Sequence, residues 1–328
     1  MSHPIVNRKR ENMNMKKILK VITVILTVIV VLVLLFLLLL FWMAKQPAVA
    51  EDYYAEVTTA APLEQAYTQK GGFAVSAWEQ ASGDETLGKF TVWYPTQMET
   101  DDRTYPAVVM VNGTGVPASK YSAVFDHLAS WGFIVIGNED GNAWDGVSSG
   151  ASLDMLLRLN EDKGSIFYGK IDTDSIGVAG HSQGGVGAIN AVTVQENGGV
   201  YKAIYTASTT HVELARLLGW SYDVSQISIP YFMTAGTLQA DAGNEKDAGI
   251  APLSSLQENY STISDDTVKV LARRADADHG DMLAKADGYM TAWFLYWLQG
   301  DQEAGKAFFG EHAEILQNDN WQDVQKNR

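Results

Sequence analysis

The residue types best placed for chemistry centre on Ser182, in the run IGVAGHSQGG of this 328-residue chain. Gly180-His181-Ser182-Gln183-Gly184 has the form G-x-S-x-G. An apolar strand-like stretch lies directly before it and a helical pattern directly after it. At such a junction a serine sits on a strained strand-to-helix turn that pushes its hydroxyl into the open as a nucleophile. Side chains in place of the flanking glycines would collide with strand and helix, and the N–H groups that open the helix favour developing negative charge. The pentapeptide alone is a weak signal. Gly146-Val147-Ser148-Ser149-Gly150 fits it too, but follows the polar stretch NEDGNAWD instead of a strand. Ser148 or Ser149 there reads as an N-cap for the next helix.

A serine nucleophile needs a base, and the base needs an acid to fix its tautomer. Behind an elbow of this kind the chain order is serine, acid, histidine. Of six histidines, His3 precedes the apolar segment, His127 and His181 come too early, and His211 precedes the strand that should carry the acid. His312 lies in the acidic tail and reads as a solvated residue, whereas His279 follows the last apolar strand in VKVLARRADADHGDM and is the expected base. The acid should lie past PYFMTAG, in the loop TLQADAGNEKDAGIAP. Asp241 is the first choice, Asp247 its rival and Glu245 a more distant third. Two backbone N–H groups should hold the oxyanion: that of Gln183, and that of Thr114 in the Asn112-Gly113-Thr114-Gly115 loop.

These residues require a particular frame. Short apolar runs at 72–80, 89–94, 107–111, 133–136, 176–179, 201–205, 231–235 and 268–272 read as strands, the first two joined by the turn-rich ASGDETLG as a hairpin. Helical patterns at 120–131, 153–160, 184–194, 252–260 and 287–298 alternate with them. The expectation is an α/β fold with a mostly parallel, doubly wound sheet and helices on both faces.

The chain carries a formal charge of −15, unevenly spread. Six basic residues against Glu11 leave residues 1–20 at +5 and the remainder at −20, which argues against a nucleic-acid partner. Residues 21–44 contain no charge and are long enough as a helix for the roughly 30 Å hydrocarbon core. With basic residues before it, this segment reads as a signal-anchor that leaves the body outside the cytoplasm. Ala48-Val49-Ala50 resembles a cleavage site, so a secreted body cut near Ala50 is the competing expectation. The layout is then a basic cytoplasmic tail (1–20), a transmembrane helix (21–44), a stalk (45–70) and a catalytic domain (71–328). The chain has no cysteine, which excludes disulfides, a thiol nucleophile, thiolate metal sites and a lipoprotein anchor.

With FTVWYP, VVMVNGTG, HLASWGFIVIGNEDG, IGVAGHSQGGVGAINA, ADADHGDM and TAWFLYWLQGDQEAGKAFFG in place, the chain resembles the α/β-hydrolase superfamily. Within it, the nearest likeness is to the dienelactone-hydrolase, chlorophyllase and cutinase-like polyester hydrolase group. The resemblance implies hydrolysis of small-molecule or lipid-like carboxylic esters through an acyl-enzyme, with no cofactor and no metal. It carries Ser182, His279 and one of Asp241 or Asp247 over as the triad. The chain departs from the group in two ways: it lacks the terminal disulfide common among polyester hydrolases, and its acid candidates stand further past their strand. An envelope acyltransferase using the same residues, and a catalytically silent binding protein on the same scaffold, are the alternatives.

Overall fold

Alternation along the apolar runs sorts their side chains onto two faces of one sheet. In β3 (Tyr105–Val111), Val108 and Met110 join one core layer, while Ala107, Val109 and Val111 join the other. In this computed structural model, which describes residues 4–244 and 248–328, the described residues form a nine-stranded sheet. Its strands are β1 (Val75–Ala81), β2 (Lys89–Pro95), β3, β4 (Ile134–Asn138), β5 (Ile171–His181), β6 (Tyr201–Ala207), β7 (Tyr231–Gly236), β8 (Lys269–Arg274) and β9 (Trp321–Lys326). Their order is β1-β2-β4-β3-β5-β6-β7-β8-β9. The six from β4 to β8 run parallel, whereas β1, β2 and β9 are antiparallel to their neighbours.

The described helices are α1 (Pro4–Lys45), α2 (Pro62–Thr68), α3 (Ser122–Ser130), α4 (Val147–Glu161), α5 (Gln183–Thr193) and α6 (Val212–Leu217), then α7 (Gln239–Ala242), α8 (Leu253–Thr262), α9 (Met282–Lys285), α10 (Asp287–Gln299) and α11 (Gln302–Gly305). Helices α3 and α10 cover one face through Phe125, Leu128, Trp293 and Phe294, all inaccessible to solvent or nearly so. Helices α4, α5 and α8 cover the other through Leu153, Leu156, Ile189 and Leu256. The fold is the expected mostly parallel α/β sheet with flanking helices. The early hairpin is present, with Ala77 opposite Trp93 and Gln80 opposite Phe90.

Two local readings are corrected. The final strand, β9, is not among the expected strands; WQDVQK is polar because it pairs on one side only, at the sheet's edge. Ser148 and Ser149 are not caps. Gly146 is the N-cap, at φ 79°, and both serines lie buried in the first turn of α4, where the Ser149 hydroxyl donates back to the Gly146 carbonyl. Of the expected 45–70 stalk, residues from Pro47 onward lie within the body's compact unit, which runs to Arg328. Within it the Ala48 N–H donates to the Lys120 carbonyl at 2.6 Å, and Val49 is 5% exposed. The Glu314 carboxylate caps α2 by accepting from the Leu63 and Glu64 N–H groups at 2.7 and 2.8 Å, a favourable place for negative charge at a helix start. Glu64 is itself buried, taking hydrogen bonds from Trp321 and Asn318. The other unit ends at Gln46 and contains α1, whose Leu19–Leu39 window is long and apolar enough to cross a membrane. Such a helix is consistent with a signal peptide or an anchor.

Candidate active site

Parallel strands bring their C-terminal ends to one edge of the sheet, and the loops leaving β3, β5, β7 and β8 meet there. Strand β5 ends at His181 and α5 starts at Gln183, so Ser182 occupies the turn between them at φ 60° and ψ −123°. A positive φ at a non-glycine residue is strained and persists only where the surroundings impose it. Here they do. A β-carbon added at Gly180 would lie 1.9 Å from the Gly184 carbonyl oxygen, and one at Gly184 would lie 2.1 Å from that of Val111.

The Ser182 hydroxyl lies 2.9 Å from His279 Nε2, and His279 Nδ1 lies 2.6 Å from Asp241 Oδ1. Asp241 is inaccessible to solvent, while the His279 side chain is 18% exposed. The second Asp241 oxygen accepts from the Ser208 hydroxyl and from the Gly236 N–H at 2.6 Å. Burial pushes the Asp241 carboxyl upward, but donation from His279 and Ser208, the His279 charge and the Gly236 N–H together hold it below the usual carboxylate range. It therefore stays ionised, as a partner for an imidazolium must.

Of the expected residues, the structure brings Ser182, His279 and Asp241 into one hydrogen-bonded line. The rivals Asp247 and Glu245 lie outside the described residues. Gln183 starts α5, so its N–H is among the first-turn donors that have no partner within the helix. Its buried side chain donates to Asn142 at 3.1 Å. The Asn112–Gly115 loop is braced against the elbow. The Asn112 amide donates to the carbonyls of Asn138 and Asp140, and a β-carbon on Gly113 would sit 3.8 Å from that of Ser182. Thr114 is exposed beside it. His312 is exposed too, as expected of a solvated residue.

Three supporting residues were missed in the sequence. Ser208, at φ 51° just past β6, holds the acid. Asp278 accepts from the N–H groups of Ala240 and His279, clipping the acid loop to the base loop. His181 lies 2.7 Å through Nε2 from the His279 carbonyl, which can only accept, so Nε2 carries the proton. Burial, reinforced by the neighbouring His279, pushes His181 down to about 4 and keeps it neutral. Only the Asp-His pairing at 278–279, a common side-chain cap for a following turn, offered any signal for these.

Residues 55–314 match the family model described as PET hydrolase-like. The chain belongs to that family. It is a cutinase-like family of carboxylic ester hydrolases. Among curated proteins, cutinase est1 of Thermobifida alba is 27% identical over 244 residues, which is 71% of this chain and 73% of that protein. A bis(hydroxyethyl) terephthalate hydrolase of Streptomyces coelicolor is 35% identical over 106 residues, 32% of this chain and 33% of that one. Cutinase 2 of Thermobifida cellulosilytica is 33% identical over 129 residues, covering 37% and 46%.

Proposed function

We propose that this member of the PET hydrolase-like family is a serine esterase with Ser182 as nucleophile, His279 as general base and Asp241 as the acid. The observation that carries the reading is the continuous line from Ser182 Oγ through His279 to Asp241, at 2.9 and 2.6 Å. His279 takes the hydroxyl proton as Ser182 attacks the ester carbonyl. The tetrahedral oxyanion is held by the N–H groups of Gln183 and Thr114, each contributing about 3 kcal/mol in the transition state. His279 then protonates the leaving alcohol, and water repeats the cycle on the acyl-enzyme.

The substrates are carboxylic esters accessible at a surface. The relatives' names, cutinase and bis(hydroxyethyl) terephthalate hydrolase, support an ester-bearing polymer or its fragments as the class to try first. The segment between β6 and β7 holds only α6 and a short 3-10 turn among its elements, which suits an open site. The Leu19–Leu39 helix is the proposed membrane anchor, with the basic tail inside and the catalytic domain outside the cytoplasm. The test is hydrolysis of p-nitrophenyl acetate by the full-length chain in detergent, beside Ser182→Ala. Loss of turnover and of fluorophosphonate labelling in the variant supports the reading. Equal rates in both proteins overturn it.

A further inference from the structure

The loop after β3 carries Thr114 between Gly113 and Gly115, and glycines on both sides give a loop little conformational preference of its own. It is nevertheless closely held. The Val116 N–H donates to the Gly113 carbonyl at 3.1 Å, and the N–H of Gly115, a residue at φ 64°, donates to the Gly141 carbonyl at 2.9 Å. Asn112 fixes the root of the loop. Its amide nitrogen donates to the Asn138 and Asp140 carbonyls, both at 2.8 Å, and its Oδ1 accepts from the Tyr121 hydroxyl at 2.6 Å. Asn112 and Tyr121 are both buried, so Asn112 acts through its neighbours and not on a substrate.

The groups that Asn112 grips are themselves anchored. Asn138 ends β4, and its amide nitrogen reaches α4, donating to the Ser148 carbonyl and the Ser152 hydroxyl at 2.9 Å each. Asn138 Oδ1 accepts from the Asp140 N–H at 2.9 Å, and Asp140 Oδ1 accepts from the Asn142 N–H at 2.8 Å. Asn142 then accepts from the Gln183 side chain at 3.1 Å. Residues 138–142 thus join the Thr114 loop to the residue after the nucleophile, although none of them belongs to the line from Ser182 to Asp241.

The residue type at 112 is specific to this task. An asparagine head offers two donors and an acceptor, and here all three functions are used. An aspartate would set a carboxylate against two carbonyls. A leucine would leave two carbonyls and a hydroxyl without their partner. A fully satisfied buried polar network holds one arrangement where apolar packing tolerates several. The Gln183 N–H is already fixed by the start of α5, whereas the Thr114 N–H has no helix to fix it.

We propose that Asn112, braced by Tyr121 and Asn138, is a positioning residue that sets where the Thr114 N–H stands relative to Ser182. The inference rests on the esterase reading with Thr114 as the second oxyanion donor.

The experiment uses the full-length protein in detergent with p-nitrophenyl acetate and an alkyl trifluoromethyl ketone. Serine adds to such a ketone to give a tetrahedral hemiketal oxyanion that needs the same two donors. Asn112→Leu should lower kcat per folded molecule about a hundredfold and weaken the ketone by a similar factor, with KM within about threefold of wild type. Tyr121→Phe, which removes one hydroxyl from the brace, should show the same pattern at about tenfold. The pH at half-maximal kcat should stay put in both, because Ser182, His279 and Asp241 are untouched. A folded Asn112→Leu, or Tyr121→Phe, with kcat and ketone affinity within about twofold of wild type overturns the proposal, as does a fall in kcat accompanied by a displaced pH profile. If Asn112→Leu does not fold, Tyr121→Phe decides alone. A wild type inert on p-nitrophenyl acetate instead removes the esterase reading itself.

Discussion

The molecule contains two histidine–aspartate pairs of nearly the same length. His279–Asp241 spans 2.6 Å at the edge of the sheet, and His127–Asp287 spans 2.7 Å beneath it. In both, Nδ1 faces a fully buried carboxylate. The difference lies at the other nitrogen. His279 Nε2 meets a serine hydroxyl, which can give up a proton, and the ring is partly open to solvent. His127 Nε2 meets two backbone carbonyls, which can only accept, and the ring is sealed. The geometry of one pair suits gaining and returning a proton, as proposed, and that of the other suits a fixed ion pair tying α3, α10 and the segment before β1 together. A dyad's role is set by what its far nitrogen sees, more than by the strength of the dyad.

Removing the proton donor at the outer pair should have the largest consequence. Ser182→Ala is expected to lower kcat on p-nitrophenyl esters by about five to six orders of magnitude with little change in melting temperature. Asp241→Asn should cost about 10⁴ in kcat, because the amide stabilises the wrong imidazole tautomer; a loss under tenfold would point to another acid. The inner pair should respond in the opposite sense. His127→Leu leaves Asp287 unbalanced and should lower unfolding free energy by about 3–5 kcal/mol in urea titrations, with kcat per folded molecule retained.

The smallest effect sharpens the contrast through pH. For His127, burial alone lowers the imidazole, but the Asp287 charge and hydrogen bonds outweigh it, so the net shift is upward. Its stabilisation is full below the unfolded value of about 6.5 and is lost as pH rises through the raised folded value. Asp241 behaves inversely: its contribution is present above the unfolded value of about 3.9 and is lost as pH falls through its depressed one. Unfolding free energy should thus decline on the alkaline side in the wild type, and His127→Leu should flatten that limb. An unchanged slope in the variant would show that His127 is not protonated in the folded state.

The inner pair also marks where sequence stopped being informative. Strands such as AVVMV and YFMTA were legible because both faces are buried, which leaves an unbroken apolar run. WQDVQK was not, since an edge strand carries mixed side chains. Ser182 was distinguishable from Ser148 through the strand before it. The choice of acid rested on loop position alone, and loop closure depends on contacts such as Ser208 to Asp241 and Asp278 to Ala240, which no periodicity records. His127 was passed over as too early in the chain, although it is buried on α3 opposite a carboxylate far along the sequence.

The docking of Ala48 and Val49 would bear on processing if Ala48-Val49-Ala50 served as a cleavage site. A signal peptidase takes its substrate as an exposed, extended segment. In the folded domain the Ala48 N–H is spent on Lys120 and Val49 is packed into the core. Cutting and folding would then compete for the same few residues. A chain that folded first would hide the site, and one cut first would fold without Val49. The ratio of cut to uncut chain would then report how fast this domain folds, a slower-folding variant being cut more.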